Sequence, residues 1–255
     1  MSRVSQFLLI ALFISVFPSL QAAVIADENT PVRVAIFDFP KSGSSGYKNL
    51  MRFLIPKNGF QCTVISPEEI RKGQLKDYDV VIMPGGSGSG QAKALQTEGR
   101  AAVRKFVKSG GGYVGICAGA YLASSHYDWS LDIINARVWD RSHWNRGKSN
   151  VTIQLTPAGS EVLGKTKSKY NIYYSNGPLL VPDNQPDLPG YQVLASFESE
   201  VANNGAPAEA MTGTHAIIRS RFGSGRVICF SPHAEFKNGP HSLIASGIYW
   251  AANQD

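Results

Sequence analysis

Apolar and polar positions follow two rhythms along this chain. Val32-Arg33-Val34-Ala35-Ile36-Phe37 is a short, nearly continuous apolar run, the mark of a strand covered on both faces. Phe60–Ile65 and Tyr78–Met83 repeat it. Between the first two runs, Leu50, Met51, Phe53 and Leu54 fall at helical spacing and predict a helix over Tyr47–Asn58, stopped at Lys57-Asn58-Gly59. Ser66-Pro67-Glu68-Glu69 predicts a second helix start, with Ser66 as N-cap, Pro67 at the first position and Glu69 closing a capping box. Gln91–Lys108 gathers Ala94, Leu95, Ala102, Val103, Phe106 and Val107 on one helical face. The first half thus alternates strand and helix as a doubly wound parallel sheet does. The second half is richer in strands, predicted at Ile133–Val138, Val151–Leu155, Asn171–Tyr174 and Tyr191–Phe197. A hairpin follows, His215–Phe222 and Arg226–Phe230 around Gly223-Ser224-Gly225. Val181–Pro189 predicts a loop and His241–Ala252 a closing helix.

Ahead of the first strand the pattern changes. Arg3 precedes an apolar run from Phe7 to Phe17, broken by Pro18, with Ala22, Ala23 or Ala26 as the small residue that ends a cleavage site. Residues 1–23 therefore read as a signal peptide, and the run is too short for a comfortable membrane span. This predicts an exported protein, periplasmic or secreted, whose residues 24–255 form one α/β domain. The net charge of +6 is scattered, with no nucleic-acid motif, so no nucleic-acid partner is expected. Arg137, Arg141, Arg146 and Lys148 read as solvated surface. With three cysteines, at least one thiol stays unpaired within the chain. Cys62 and Cys229 sit in strand-like runs and read as small buried hydrophobes. No Cys/His spacing suggests a metal site, and no cofactor is expected.

The chemistry concentrates at Gly111-Gly112-Tyr113-Val114-Gly115-Ile116-Cys117-Ala118-Gly119-Ala120-Tyr121. Gly115-Ile116-Cys117-Ala118-Gly119 has the form of a nucleophile elbow with Cys in place of Ser. A nucleophile on so tight a turn takes a strained backbone, and small neighbours leave room for it. The helix that follows points its N-terminus at the sulfur, favouring thiolate. The hairpin's last strand delivers Pro232-His233-Ala234-Glu235, where Glu235 can orient His233 as base for Cys117. Pro84-Gly85-Gly86 follows the third strand, so Gly85 and Gly86, with the N–H of Ala118, are candidate oxyanion and substrate donors. In a parallel sheet both Gly-rich loops fall on the ligand edge.

Through Met83-Pro84-Gly85-Gly86, the Cys117 elbow and Pro232-His233-Ala234-Glu235, the chain resembles the class I glutamine amidotransferase-like superfamily. It most resembles the amidotransferase-like domain at the N-terminus of eukaryotic biotin–protein ligases, which shares the Gly111–Tyr121 run and Tyr174-Ser175-Asn176-Gly177-Pro178. The resemblance spans about Val32 to Ala252 and implies a flavodoxin-like three-layer sandwich with a mostly parallel central sheet. It implies Cys117 as nucleophile, His233 as base, Glu235 as orienter, and Gly86 and Ala118 as oxyanion donors. No ligase or biotin-binding segment is visible, so ligation is not implied, and no synthetase partner is evident. The expected activity is that of a thiol hydrolase acting on an amide or γ-glutamyl-type bond of a small molecule or peptide. The alternative is a non-catalytic binding domain that keeps the elbow, with Trp129, Trp139, His143 and Trp144 walling a pocket for a sugar or peptide.

Overall fold

The computed structural model describes residues 30–39, 43–164 and 166–254; the expected signal peptide, residues 1–23, lies outside them. Pro31–Asp255 packs as one unit. Its strands are β1 (Val32–Phe37), β2 (Phe60–Ile65), β3 (Val80–Met83), β4 (Gly112–Ile116), β5 (Ala136–Trp139), β6 (Lys148–Leu155), β7 (Lys169–Ser175), β8 (Leu179–Pro182), β9 (Gln192–Phe197), β10 (His215–Phe222) and β11 (Gly225–Phe230). Its helices are α1 (Gly46–Leu50), α2 (Pro67–Arg71), α3 (Gly88–Lys108), α4 (Ala118–Ala123), α5 (Pro157–Leu163) and α6 (His241–Ala251).

The sheet order is β2-β1-β3-β4-β11-β10-β9-β6-β7. From β2 to β11 every pair is parallel; from β11 onward the pairs are antiparallel. Apolar alternation explains the layers. Val34, Ile36, Val80, Ile82, Val114, Ile116, Ile228 and Phe230 join one core with Leu50, Leu163, Leu243 and Ile248 of α1, α5 and α6. Ala35, Phe37, Val81, Met83, Tyr113, Val227 and Cys229 join the other with Ile70, Leu95, Val103, Val107 and Ala120 of α2, α3 and α4. Because both faces are covered, the parallel strands read as unbroken apolar runs. This is the α/β sandwich with a strand-rich second half that the pattern predicts.

Ser66 caps α2 with the full reciprocal box to Glu69, and Pro67 takes the first helical position. The helix expected over Tyr47–Asn58 is shorter. It ends after Leu50, and Pro56–Asn58 forms a separate 3-10 turn closed by Gly59 at φ 80°. Pro56 lacks the N–H to continue the ladder. Helix α3 is kinked at Gln96, φ 60° and ψ −175°. Arg71 donates to the Ala94 carbonyl at 3.0 Å, satisfying a group released near that break. Two elements escape the pattern. Thr156 caps the unanticipated α5, and Leu179–Pro182, partly assigned to a loop, pairs with β5 as β8.

Candidate functional site

Strand β4 runs into Cys117, which adopts φ 50° and ψ −98° before α4 begins. That is a left-handed conformation costly to a non-glycine residue, on the order of 1–3 kcal/mol, and it is held by its surroundings. The Cys117 N–H donates to the Phe230 carbonyl of β11 at 2.8 Å, and the Cys117 carbonyl accepts from Ala120 and Tyr121. Small residues are obligatory here. A side chain on Gly119 would meet the Met83 carbonyl at 2.0 Å. Ala118 opens α4, so its N–H has no intrahelical partner.

Strand β11 continues to His233, whose N–H donates to the Tyr173 carbonyl of β7 at 2.8 Å. His233 Nδ1 lies 2.7 Å from Glu235 Oε1. That contact occupies one ring nitrogen and leaves Nε2 for the sulfur. Both side chains are buried. Burial alone pushes the imidazole down, but the Glu235 carboxylate and the Cys117 sulfur beside it outweigh burial and hold it well above the ordinary histidine value. Gly85 completes the junction: a Cβ there would strike His233 Cε1 at 2.6 Å and lie 3.7 Å from Cys117 Cβ. The loop is pinned by Ser44, whose hydroxyl donates to the Gly85 carbonyl at 2.6 Å, and Gly86 turns at φ 140°.

Gly85, Gly86, Cys117, His233 and Glu235 thus line one cavity of about 680 Å³. Ala118 follows Cys117 directly and is buried, outside the cavity lining. The other two thiols lie elsewhere. Burial pushes Cys62 up to about 12 and raises Cys229 further. Among the described residues, no cluster of three or more His, Cys, Asp and Glu is placed to hold a metal ion.

Several sequence expectations are corrected. Trp129 and Trp144 line this cavity, but Trp139 lines a separate shallow depression beside Arg137 and Arg141. His143 Nδ1 lies 2.5 Å from Asp140 Oδ1 and does not reach the cavity. Arg146 is not solvated: it is 1% exposed and paired with Asp140. Other participants had no chemical signal in the sequence. The Ser175 carbonyl receives the Cys117 thiol at 3.5 Å, and Tyr121 donates to the Asn176 carbonyl at 3.1 Å. Both acceptors lie in the Tyr174–Pro178 segment, flagged by resemblance alone.

A parallel sheet with Cys117 on a tight turn at its carboxyl edge and an antiparallel extension is a fold of the class I glutamine amidotransferase-like kind. Solved structures agree on the fold. A thua-like protein from Bacteroides uniformis superposes with a TM-score of 0.62 at 16% identity, covering 89% of this chain and 94% of that one. A glutamine amidotransferase gives 0.59 at 17%, covering 86% and 98%. A chain of PurLQS from Thermotoga maritima gives 0.58 at 16%, covering 88% and 98%. The family model described as biotin-protein ligase, N terminal, matches residues 40–142 and 141–247, and the chain belongs to that family. An uncharacterized protein of Chlamydia muridarum is 36% identical over 193 residues, 69% of this chain and 67% of its own.

Proposed function

We propose that this amidotransferase-like domain is a cysteine-dependent hydrolase of an amide or γ-glutamyl-type bond, working outside the cytoplasm. One observation carries the reading: the buried His233–Glu235 pair, bonded at 2.7 Å, packs beside Cys117 at the wall of one cavity. His233 takes the thiol proton at Nε2, and Glu235 stabilises the imidazolium. The thiolate attacks the carbonyl carbon to form the S–C bond, and the π pair of the carbonyl moves to its oxygen. The N–H groups of Gly86 and Ala118 receive that oxyanion, each contributing on the order of 3 kcal/mol. His233 returns the proton to the departing nitrogen, and water, deprotonated by the same imidazole, releases the acyl group from sulfur. Gly85 serves by letting the imidazole lie against the loop. The export step rests on the leader-like residues 1–23.

The test is turnover. The native protein, incubated with small amides, peptides and γ-glutamyl compounds, should release amine and carry an acyl adduct on residue 117, visible by intact mass. Cys117→Ala should do neither. A second reading, binding without turnover, is favoured by the thiol's contact with the Ser175 carbonyl, which turns it to backbone. Ligand binding equal in both proteins, with turnover in neither, would establish that reading instead.

A further inference from the structure

We infer that the Cys117 cavity takes an amide-linked sugar, a neutral ring bearing hydroxyls, in preference to a glutamyl group; the inference narrows the hydrolase reading and rests on it. Two stacked aromatic pairs line the cavity. Trp129 stacks on Tyr127 with ring centroids 4.5 Å apart and planes 16° apart. In the same cavity Tyr173 stacks on Phe236 at 4.4 Å, and both flank the His233 ring at 6.0 and 5.7 Å. Trp144, 57% exposed, stands at the same cavity. Phe236 is exposed too, while Trp129 and Tyr173 are half-buried, and aromatic faces that reach a cavity are ready surfaces for an apolar ring face. Gly88, at the start of α3, keeps one platform in place: a Cβ there would crowd Trp129 Cη2 at 3.0 Å and Tyr121 Cβ at 3.1 Å.

The rest of the lining includes neutral polar side chains, Ser45, Ser87, Ser89 and Asn49 among them. Among the described lining residues the charged groups are Lys148, His233 and Glu235. Glu235 is 1% exposed and committed to His233. A glutamyl substrate brings an ammonium and a carboxylate, and this lining offers the ammonium no carboxylate of its own. A sugar brings neither charge: its C–H faces suit the indole and phenol rings, and its hydroxyls suit the serines and asparagines.

Cys117→Ala protein is titrated with N-acetyl-β-D-glucosylamine, a sugar amide without charge, and with L-glutamine and a neutral dipeptide amide, following tryptophan fluorescence and saturation-transfer NMR. The sugar amide should bind saturably, and Trp129→Ala should weaken it by about tenfold. Trp129→Phe should restore most of the affinity, and circular dichroism checks the fold of each variant. Saturable glutamine or dipeptide binding without sugar binding overturns the inference, as does sugar affinity unchanged in Trp129→Ala. Alkylation of residue 117 in the native chain keeps the two readings apart. Fast alkylation without sugar binding removes the sugar and leaves the hydrolase; sugar binding with slow alkylation supports the ligand class and removes the hydrolase.

Discussion

A single buried histidine carries most of the site's electrostatics. Glu235 and Cys117 hold the His233 proton more tightly in the folded protein than in the unfolded chain. Its stabilising contribution is therefore complete below about pH 6.5, the unfolded value, and is lost as pH rises through the raised folded value. Urea unfolding across that window should show the native protein's advantage over Glu235→Gln shrinking toward alkaline pH. Near pH 6 the substitution should cost about 3 kcal/mol, because it strips one partner from a buried pair. A pH-independent difference would contradict this. At this scale the sequence was partly legible. Cys117, His233 and Glu235 announce themselves by type and spacing. Tyr173 and Ser175 act through backbone carbonyls, which any residue carries, so no residue type marks them.

Among elements, α3 stores the clearest local strain. Gln96 sits at φ 60° and ψ −175°, a region that glycine alone tolerates well. Gln96→Gly should raise the urea midpoint, a gain of about 1 kcal/mol. Ser66→Ala should lose about 1 kcal/mol by removing the α2 cap. Elements with apolar periodicity or a full capping box were legible: β1, β2, α2, the β10–β11 hairpin and α6. The α3 kink was not: the carbonyl of Ala94 just before it is held by Arg71 of α2, a partner distant in sequence. Helix α5 has only seven residues, too short for its period to stand out.

For the whole molecule, sheet order decides which distant residues meet. Cys62 lies on β2 and Cys229 on β11, with β1, β3 and β4 between them. At ~4.8 Å per strand they are roughly 19 Å apart, far beyond a disulfide. Reductant should leave the melting temperature unchanged; a lowered one would refute the topology. The parallel half was legible because its strands are buried on both faces. In the antiparallel half the strands and the hairpin were legible, but the order in which they pair was not. Its edge strand β7 comes round to meet the segment leaving β11, and the Tyr173–His233 bridge that marks this is one backbone pair. That return brings Ser175 to Cys117, so the loop after β3, the β4 elbow and the end of β11 are closed on a fourth side. The most direct test of this convergence is the rate at which iodoacetamide alkylates each cysteine near pH 7, read by mass spectrometry. A thiol at about 12, such as Cys62, is ionised there only to roughly one part in 10⁵. The account predicts stoichiometric modification of Cys117, well ahead of Cys62 and Cys229 and slowed by His233→Gln; equal, slow modification of all three thiols would contradict it.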